Sequence, residues 1–315
     1  MASRGLRLLV AAACALAALP AENAMGSARP GRTGTIAFVR FLDRVGHPRI
    51  NVIDVRGGPA HGLRLPVTAA DGPSWSTSGR RLVFVGGLNR TDATRVSMRD
   101  GLYVTTRAGK HTTRITHDAG HEVGPAWCPA RELLAYVRSA PHRPDLSSIY
   151  LIRPDGTQRQ RLTRGFIDLQ PSWSRDGRLI AFLRIDPKTY ATGIWVIRRD
   201  GTGLQRILSS MTNVTEPVWS PAARRLVVTD GTRLMVVNAN GSGLRTIARL
   251  TADASGDRID PEPAWAPDGS AVAFAQMRKG TEGHSDIWAV NADGTGLRRI
   301  TRSPGRDFAP TWSTP

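Results

Sequence analysis

The sequence is poor in cysteine, in acid, in aromatics and in long apolar runs. Its 315 residues hold two cysteines, Cys14 and Cys128, and Cys14 lies inside the longest apolar stretch, Leu8–Leu19. A chain without that stretch keeps Cys128 alone, which excludes an internal disulfide framework. The stretch is too short for a comfortable transmembrane helix, and nothing else in the sequence approaches one. Acidic residues number 26 against 43 Lys and Arg, a formal charge of +17. Such a surface attracts anions in general. Yet no five basic residues stand in a row, and aromatics are 6% of the chain. A basic patch interleaved with aromatics, which specific nucleic-acid recognition would need, is therefore missing. A Gly-x-Ser-x-Gly nucleophile elbow is absent. No cofactor motif is present either.

What the chain does have is tryptophan at a fixed spacing. Pro-x-Trp occurs at Pro73–Trp75, Pro125–Trp127, Pro171–Trp173, Pro217–Trp219, Pro263–Trp265 and Pro310–Trp312. Successive Trp residues lie 52, 46, 46, 46 and 47 positions apart. A period of that size with strand-like content marks a β-propeller, each repeat being one four-stranded blade. Nine residues after the first five tryptophans stand Phe84, Tyr136, Phe182, Val228 and Phe274, each at the centre of a short apolar run. A third run follows, such as Ile149–Ile152 or Ile194–Ile197, and then Asp155-Gly156, Asp200-Gly201, Asn240-Gly241 or Asp293-Gly294. Those dipeptides predict a two-residue hairpin into a last strand such as Arg161–Thr163 or Arg299–Thr301. Trp195 and Trp288 sit in third strands, so all eight tryptophans belong to the repeat and serve blade packing.

The two ends carry complementary fragments. Trp312 has no Phe-type strand after it, while Thr35–Val39 is a Phe-type strand with no Trp before it. Counting nine back from Phe38 gives position 29, which is 46 before Trp75. The expectation is an all-β, six-bladed ring over residues 33–315, closed by pairing Pro310–Ser313 with Thr35–Arg40. An unpaired edge strand would otherwise invite association. Residues 1–28, with Arg4 and Arg7 before the apolar stretch and small residues from Ala21 to Ala28, read as an export signal and linker. The protein is then periplasmic, envelope-associated or secreted. A start at Met25 would instead leave it cytoplasmic with a charge of +16. Cys14 follows Ala11-Ala12-Ala13 but lacks the aliphatic residue expected of a lipid-anchored cysteine.

Pro171–Phe182 with Trp195–Thr202, and Pro263–Phe274 with Trp288–Thr295, closely resemble the TolB-type, WD40-like (PD40) propeller repeat. The resemblance covers nearly all of the chain beyond the leader. The family's Trp-Ser-Pro-Asp-Gly corner is altered at Trp75–Gly79, Trp127–Arg131 and Trp219–Ala223. The resemblance implies an exported, non-catalytic scaffold that meets protein or peptide partners of the cell envelope at its channel, working as a monomer. Similar propellers also serve prolyl-oligopeptidase-like hydrolases and oligogalacturonate lyases, the latter with metal-binding histidines. The competing expectation is thus a polysaccharide lyase or hydrolase with a metal on the His-bearing face.

Residues just before each Pro-x-Trp are expected to rim one mouth of the channel. They include Asp71, Glu122, Asp168, Glu216, Asp260, Glu262 and Asp307. Either these acids cap turns and pair with the many arginines, or they form an acidic funnel for a cation or a basic peptide segment. His117 and His121, with Glu122 beside them, are weak metal candidates, because a short loop does not converge ligands as a helix face does. His47, His142 and His284 fall in other loops of the same face.

Overall fold

The computed structural model describes residues 33–42, 47–87, 101–118, 120–140, 143–208, 211, 213–252, 254, 256, 259–281 and 283–314. The expected export signal, Cys14, Met25 and His142 lie outside the described residues. Every regular element is a β-strand, and no helix is long and apolar enough to cross a membrane among the described residues.

The strands pair antiparallel in sets of four. Each set begins with a Trp strand: Ala69–Trp75, His121–Trp127, Ile167–Trp173, Thr215–Trp219, Ala264–Trp265 and Arg306–Ser313. We number the blades first to sixth in that order. A Phe strand follows at Arg81–Gly87, Leu134–Ala140, Leu179–Ile185, Arg225–Thr229 and Ala271–Met277. In the sixth blade that place is taken by Thr35–Phe41. Thr35 pairs with Ser313, Ile36 with Trp312 and Ala37 with Thr311, which is the expected clasp of the two ends. Each Trp strand neighbours the next around a closed cycle.

The residues at the repeating centre of the Phe strands, Phe38, Phe84, Tyr136, Phe182, Val228 and Phe274, are all 0% exposed. They feed six apolar clusters, one at each junction between consecutive blades. One joins Val83 and Leu102 of the first blade to Trp127 and Tyr136 of the second. Another joins Leu183 and Ile194 to Trp219 and Val228. Both faces of each sheet are thereby covered, so the strands read as continuous apolar runs without alternation.

The hairpins into the outer strands differ from the two-residue turns expected. Arg153 N donates to Thr157 O and Gly156 N to Arg153 O, so three residues form the loop. Gly156 takes φ +86° while Asp155 keeps a negative φ. This is a type I turn closed by a left-handed glycine. The aspartates anchor the far side of each loop. Asp155, Asp200 and Asp293 each accept from the backbone N and hydroxyl of the Thr two residues on, at 2.7–2.9 Å. Those bonds hold the three carboxyls below the usual range.

Candidate functional site

The inner edge of every blade is its Trp strand, and six of them enclose a channel of about 690 Å³. Each Trp strand carries proline two residues before the Trp. Proline has no N–H to give to a ladder, and an inner edge strand tolerates it. The residue before it takes a left-handed conformation in all six blades: Gly72, Gly124, Gln170, Glu216, Glu262 and Ala309 have φ between +43° and +57°. The ladder slips there in every blade but the fifth, for example between Leu169 and Ser172. Left-handed backbone is costly for a residue with a side chain and is sustained by surrounding contacts.

Those contacts form a relay around the rim. Gln170 Oε1 accepts from Glu216 N, Glu216 Oε2 from Glu262 N, and Glu262 Oε2 from Ala309 N, each at 2.9 Å. The relay stops at Ala309, and in the first blade Gly72 N donates instead to Asp71 Oδ1 at 2.6 Å. Glu216 is 4% exposed, and its second oxygen, Oε1, has no hydrogen-bond partner. Burial, reinforced by Glu262 and Asp260, pushes its carboxyl well above the ordinary range. Glu262 is pushed up to about 8 by burial and by Asp71 and Asp260, against the opposing bond from Ala309 N. Among the described residues lining the channel, these two are the acidic ones and Arg175 is the basic one.

The seven acids expected at one mouth therefore separate. Glu216 and Glu262 line the channel, Asp71 is half-buried beside them, and Asp260 is exposed. Asp168, Asp307 and Glu122 do not line it. Asp168 is fully buried and takes both Arg184 Nε and Nη2, at 2.7 and 2.8 Å. Asp307 does the same with Arg40 at the same distances. Glu122, also buried, accepts from Thr116 Oγ1 and lies 3.8 Å from Arg138 Nε, and burial raises its carboxyl. These three are tied to their own blade's Phe strand, so the single ring of seven ligand-facing carboxylates gives way to a smaller group. Arginine pairing, one of the two alternatives, accounts for Glu122, Asp168 and Asp307.

His117 is exposed and His121 half-buried, its Nδ1 without a partner. Among the described residues no three His, Cys, Asp or Glu converge closely enough to hold a metal ion. Cys128 is buried beneath the Gly177 turn, where a Cβ on the glycine would stand 2.6 Å from Sγ. Burial pushes its thiol up, which keeps the sulfur in its unreactive form.

Blades closed into a ring around a channel with a polar, partly acidic rim define a β-propeller. The family model for the TolB beta propeller domain matches residues 31–256, and the chain belongs to that family. It is 34% identical over 181 residues to the Tol-Pal system protein TolB of Anaeromyxobacter dehalogenans strain 2CP-C, covering 52% of this chain and 37% of that protein. A Protein TolB homolog of Chlorobium luteolum is 29% identical over 250 residues, covering 76% of this chain and 51% of the relative. The chain thus spans about half or less of the length of these relatives. The crystal structure of TolB from Acinetobacter baumannii superposes with a TM-score of 0.71 at 14% identity, covering 89% of this chain and 66% of that one. That likeness concerns the fold.

Proposed function

We propose that the protein is an exported, non-catalytic scaffold that holds a basic segment of a cell-envelope protein at the rim formed by Asp71, Glu216, Asp260 and Glu262. The observation that carries this reading is Glu216: a buried carboxyl in the channel wall, one oxygen spent on Glu262 N and the other unpartnered. A buried polar oxygen without a hydrogen-bond partner costs free energy, on the order of 1–3 kcal/mol. A lysine or arginine entering the channel supplies the donor and favours the ionised form. A long cationic side chain suits the rim better than a bare metal ion, since the described acids do not converge as a metal cage. Supporting the partner class, relatives carry the name of the Tol-Pal system. Supporting export is the basic-then-apolar start of the sequence.

The test is calorimetry with lysine-rich and glutamate-rich extended peptides at physiological salt. The lysine-rich peptide is expected to bind, and Glu216→Gln with Glu262→Gln to weaken it at least about tenfold. Each glutamine retains an oxygen for the relay, as Gln170 already does, so melting should not suffer. Equal binding by parent and double variant, or preference for the acidic peptide, removes the proposal.

A further inference from the structure

We infer that the crevice between the third and fourth blades is a second binding site, one that takes a phosphate-bearing ligand. It lies among the turns Ser174–Leu179, Arg198–Asp200 and Trp219–Arg224, shares Arg175 and Trp219 with the channel lining, and encloses about 810 Å³.

Its origin is the altered corner of the fourth blade. In the first, third and fifth blades that corner is closed by a glycine, whose N donates back to Ser76, Ser174 or Ala266 at 2.8–2.9 Å. Gly177 and Gly269 nest tightly on the preceding blade: a Cβ would come within 2.6 Å of Cys128 Sγ and 2.5 Å of Ala222 Cβ. The fourth blade has Ala223 where that glycine belongs, and its turn is closed by Arg225 N donating to Ala223 O instead. A methyl group cannot make the same close approach, so the seam below stays open.

Five arginines line the opening: Arg175, Arg178, Arg198, Arg199 and Arg224. Arg178 is 4.0 Å from Asp176. The guanidinium groups of the other four hold no hydrogen bond or salt bridge among the described residues, and Arg198 is close enough to Asp200 to help lower its carboxyl. Two aspartates share the crevice, and both are engaged by their own turns. Asp176 accepts from Ser174 Oγ and Arg178 N, Asp200 from Thr202 N and Oγ1. At two other seams an arginine fills this place from within. Arg81 stacks 4.9 Å from the Trp127 ring and Arg225 5.3 Å from Trp265. The corresponding residue here is Leu179, which offers no cation to Trp219. Trp173 and Trp265 donate their indole N–H to Ala126 O and Val218 O, but buried Trp219 Nε1, like Trp75 Nε1, has no acceptor.

Four clustered arginines without hydrogen-bonded acceptors stand next to an orphaned N–H donor and an apolar wall of Leu179 and Ala222, and the two aspartates are spent on their own turns, so the set is short of oxygen acceptors carrying negative charge. Planar guanidinium groups bind phosphate oxygens two at a time, which makes phosphate the anion best matched to this set. The phosphate can belong to a free small molecule or to a lipid headgroup.

The experiment uses the full chain. Pyrophosphate is titrated calorimetrically at physiological salt, and in parallel the protein is floated with vesicles of phosphatidylcholine alone or containing phosphatidylglycerol. Two variants of equal charge are compared, Arg198, Arg199 and Arg224 all changed to Gln, and the exposed Arg153, Arg249 and Arg302 all changed to Gln. The crevice variant is expected to lose at least about tenfold in pyrophosphate affinity while the control stays within about twofold. Vesicle capture lost in the crevice variant alone, without pyrophosphate binding, supports the same site with a lipid source. Equal losses in both variants mean a diffuse charge effect and overturn the proposal, as does the absence of binding in both arms.

Discussion

At the scale of single residues, the Asp168–Arg184 pair organises the third blade. Asp168 is fully buried, and Arg184 lies 4.3 Å from the Phe166 ring centroid and near Phe182 and Trp195. Removing one member leaves the other charged and without water. Asp168→Ala is therefore expected to destabilise by about 3–5 kcal/mol in denaturant unfolding. Replacing both, as Asp168→Ala with Arg184→Met, should recover most of that loss. A single variant within about 0.5 kcal/mol of the parent would show that the pair is worth no more than a surface bridge. This pairing was legible in the repeat. An acid five residues before the Trp coincides with arginine two residues after the Phe-strand centre in three blades: Glu122 with Arg138, Asp168 with Arg184, Asp307 with Arg40. Where the acid is Ala70 or Val214, the partner position is Gly86 or Asp230. Reading along the chain hides that relation, because the partners are 16 positions apart in two of the blades and at opposite ends in the sixth.

At the scale of the element, the inner strand was legible as a strand but its bulge was not. Gln170, Glu216 and Glu262 belong to residue types that avoid left-handed backbone, so nothing local announces it. It becomes necessary because proline interrupts the ladder and the next blade supplies a donor at the right height. The relay has a pH signature. Glu262 titrates at about 8 in the fold against an unfolded value of 4.5. The folded state then binds the extra proton between those limits, so this group's contribution to stability is full below about pH 4.5 and declines as pH rises to about 8. Glu262→Gln should flatten that part of the stability–pH curve and be more stable than the parent at about pH 9, by roughly 1–3 kcal/mol. Parallel curves for parent and variant would contradict the assignment. The same linkage makes capture of a cationic segment release protons, so its affinity should rise with pH across the neutral range. The outer hairpins were nearly legible: Asp-Gly located each turn correctly, and the Thr two residues on, drawn in by the aspartate, set the three-residue length.

At the scale of the molecule, the ring was the most legible feature, because blade packing repeats the same demand every 46 or so residues. The corner substitutions were equally visible, but their effect on a seam between blades depends on how closely a glycine on one blade approaches its neighbour. The closure itself makes a firm prediction. Thr35–Phe41 sits between Arg306–Ser313 on one side and Arg49–Asp54 on the other. Deleting residues 308–315 exposes fully buried Ile36 and Phe38 and leaves two edges unpaired. The truncated chain is expected to melt at least about 10 °C lower or to aggregate, as differential scanning calorimetry would show. An unchanged melting temperature would mean that the ring does not depend on this strand.

The relay of Gln170, Glu216 and Glu262 also has a handedness and a gap. It runs in one direction through the third to sixth blades, and the first and second blades answer it with Gly72 and Gly124. A propeller built from near-identical repeats would present a guest with six equivalent rotational settings. Here the settings are distinguishable, because the first, fourth and fifth blades bring Asp71, Glu216, Asp260 and Glu262 while the second and sixth bring Gly124 and Ala309. If the proposed partner binds there, the opening is a keyed socket: a cationic segment on the axis has one azimuth that matches it with those acids. The repeat supplies the symmetry of the ring, and three side chains at one level give it a compass direction.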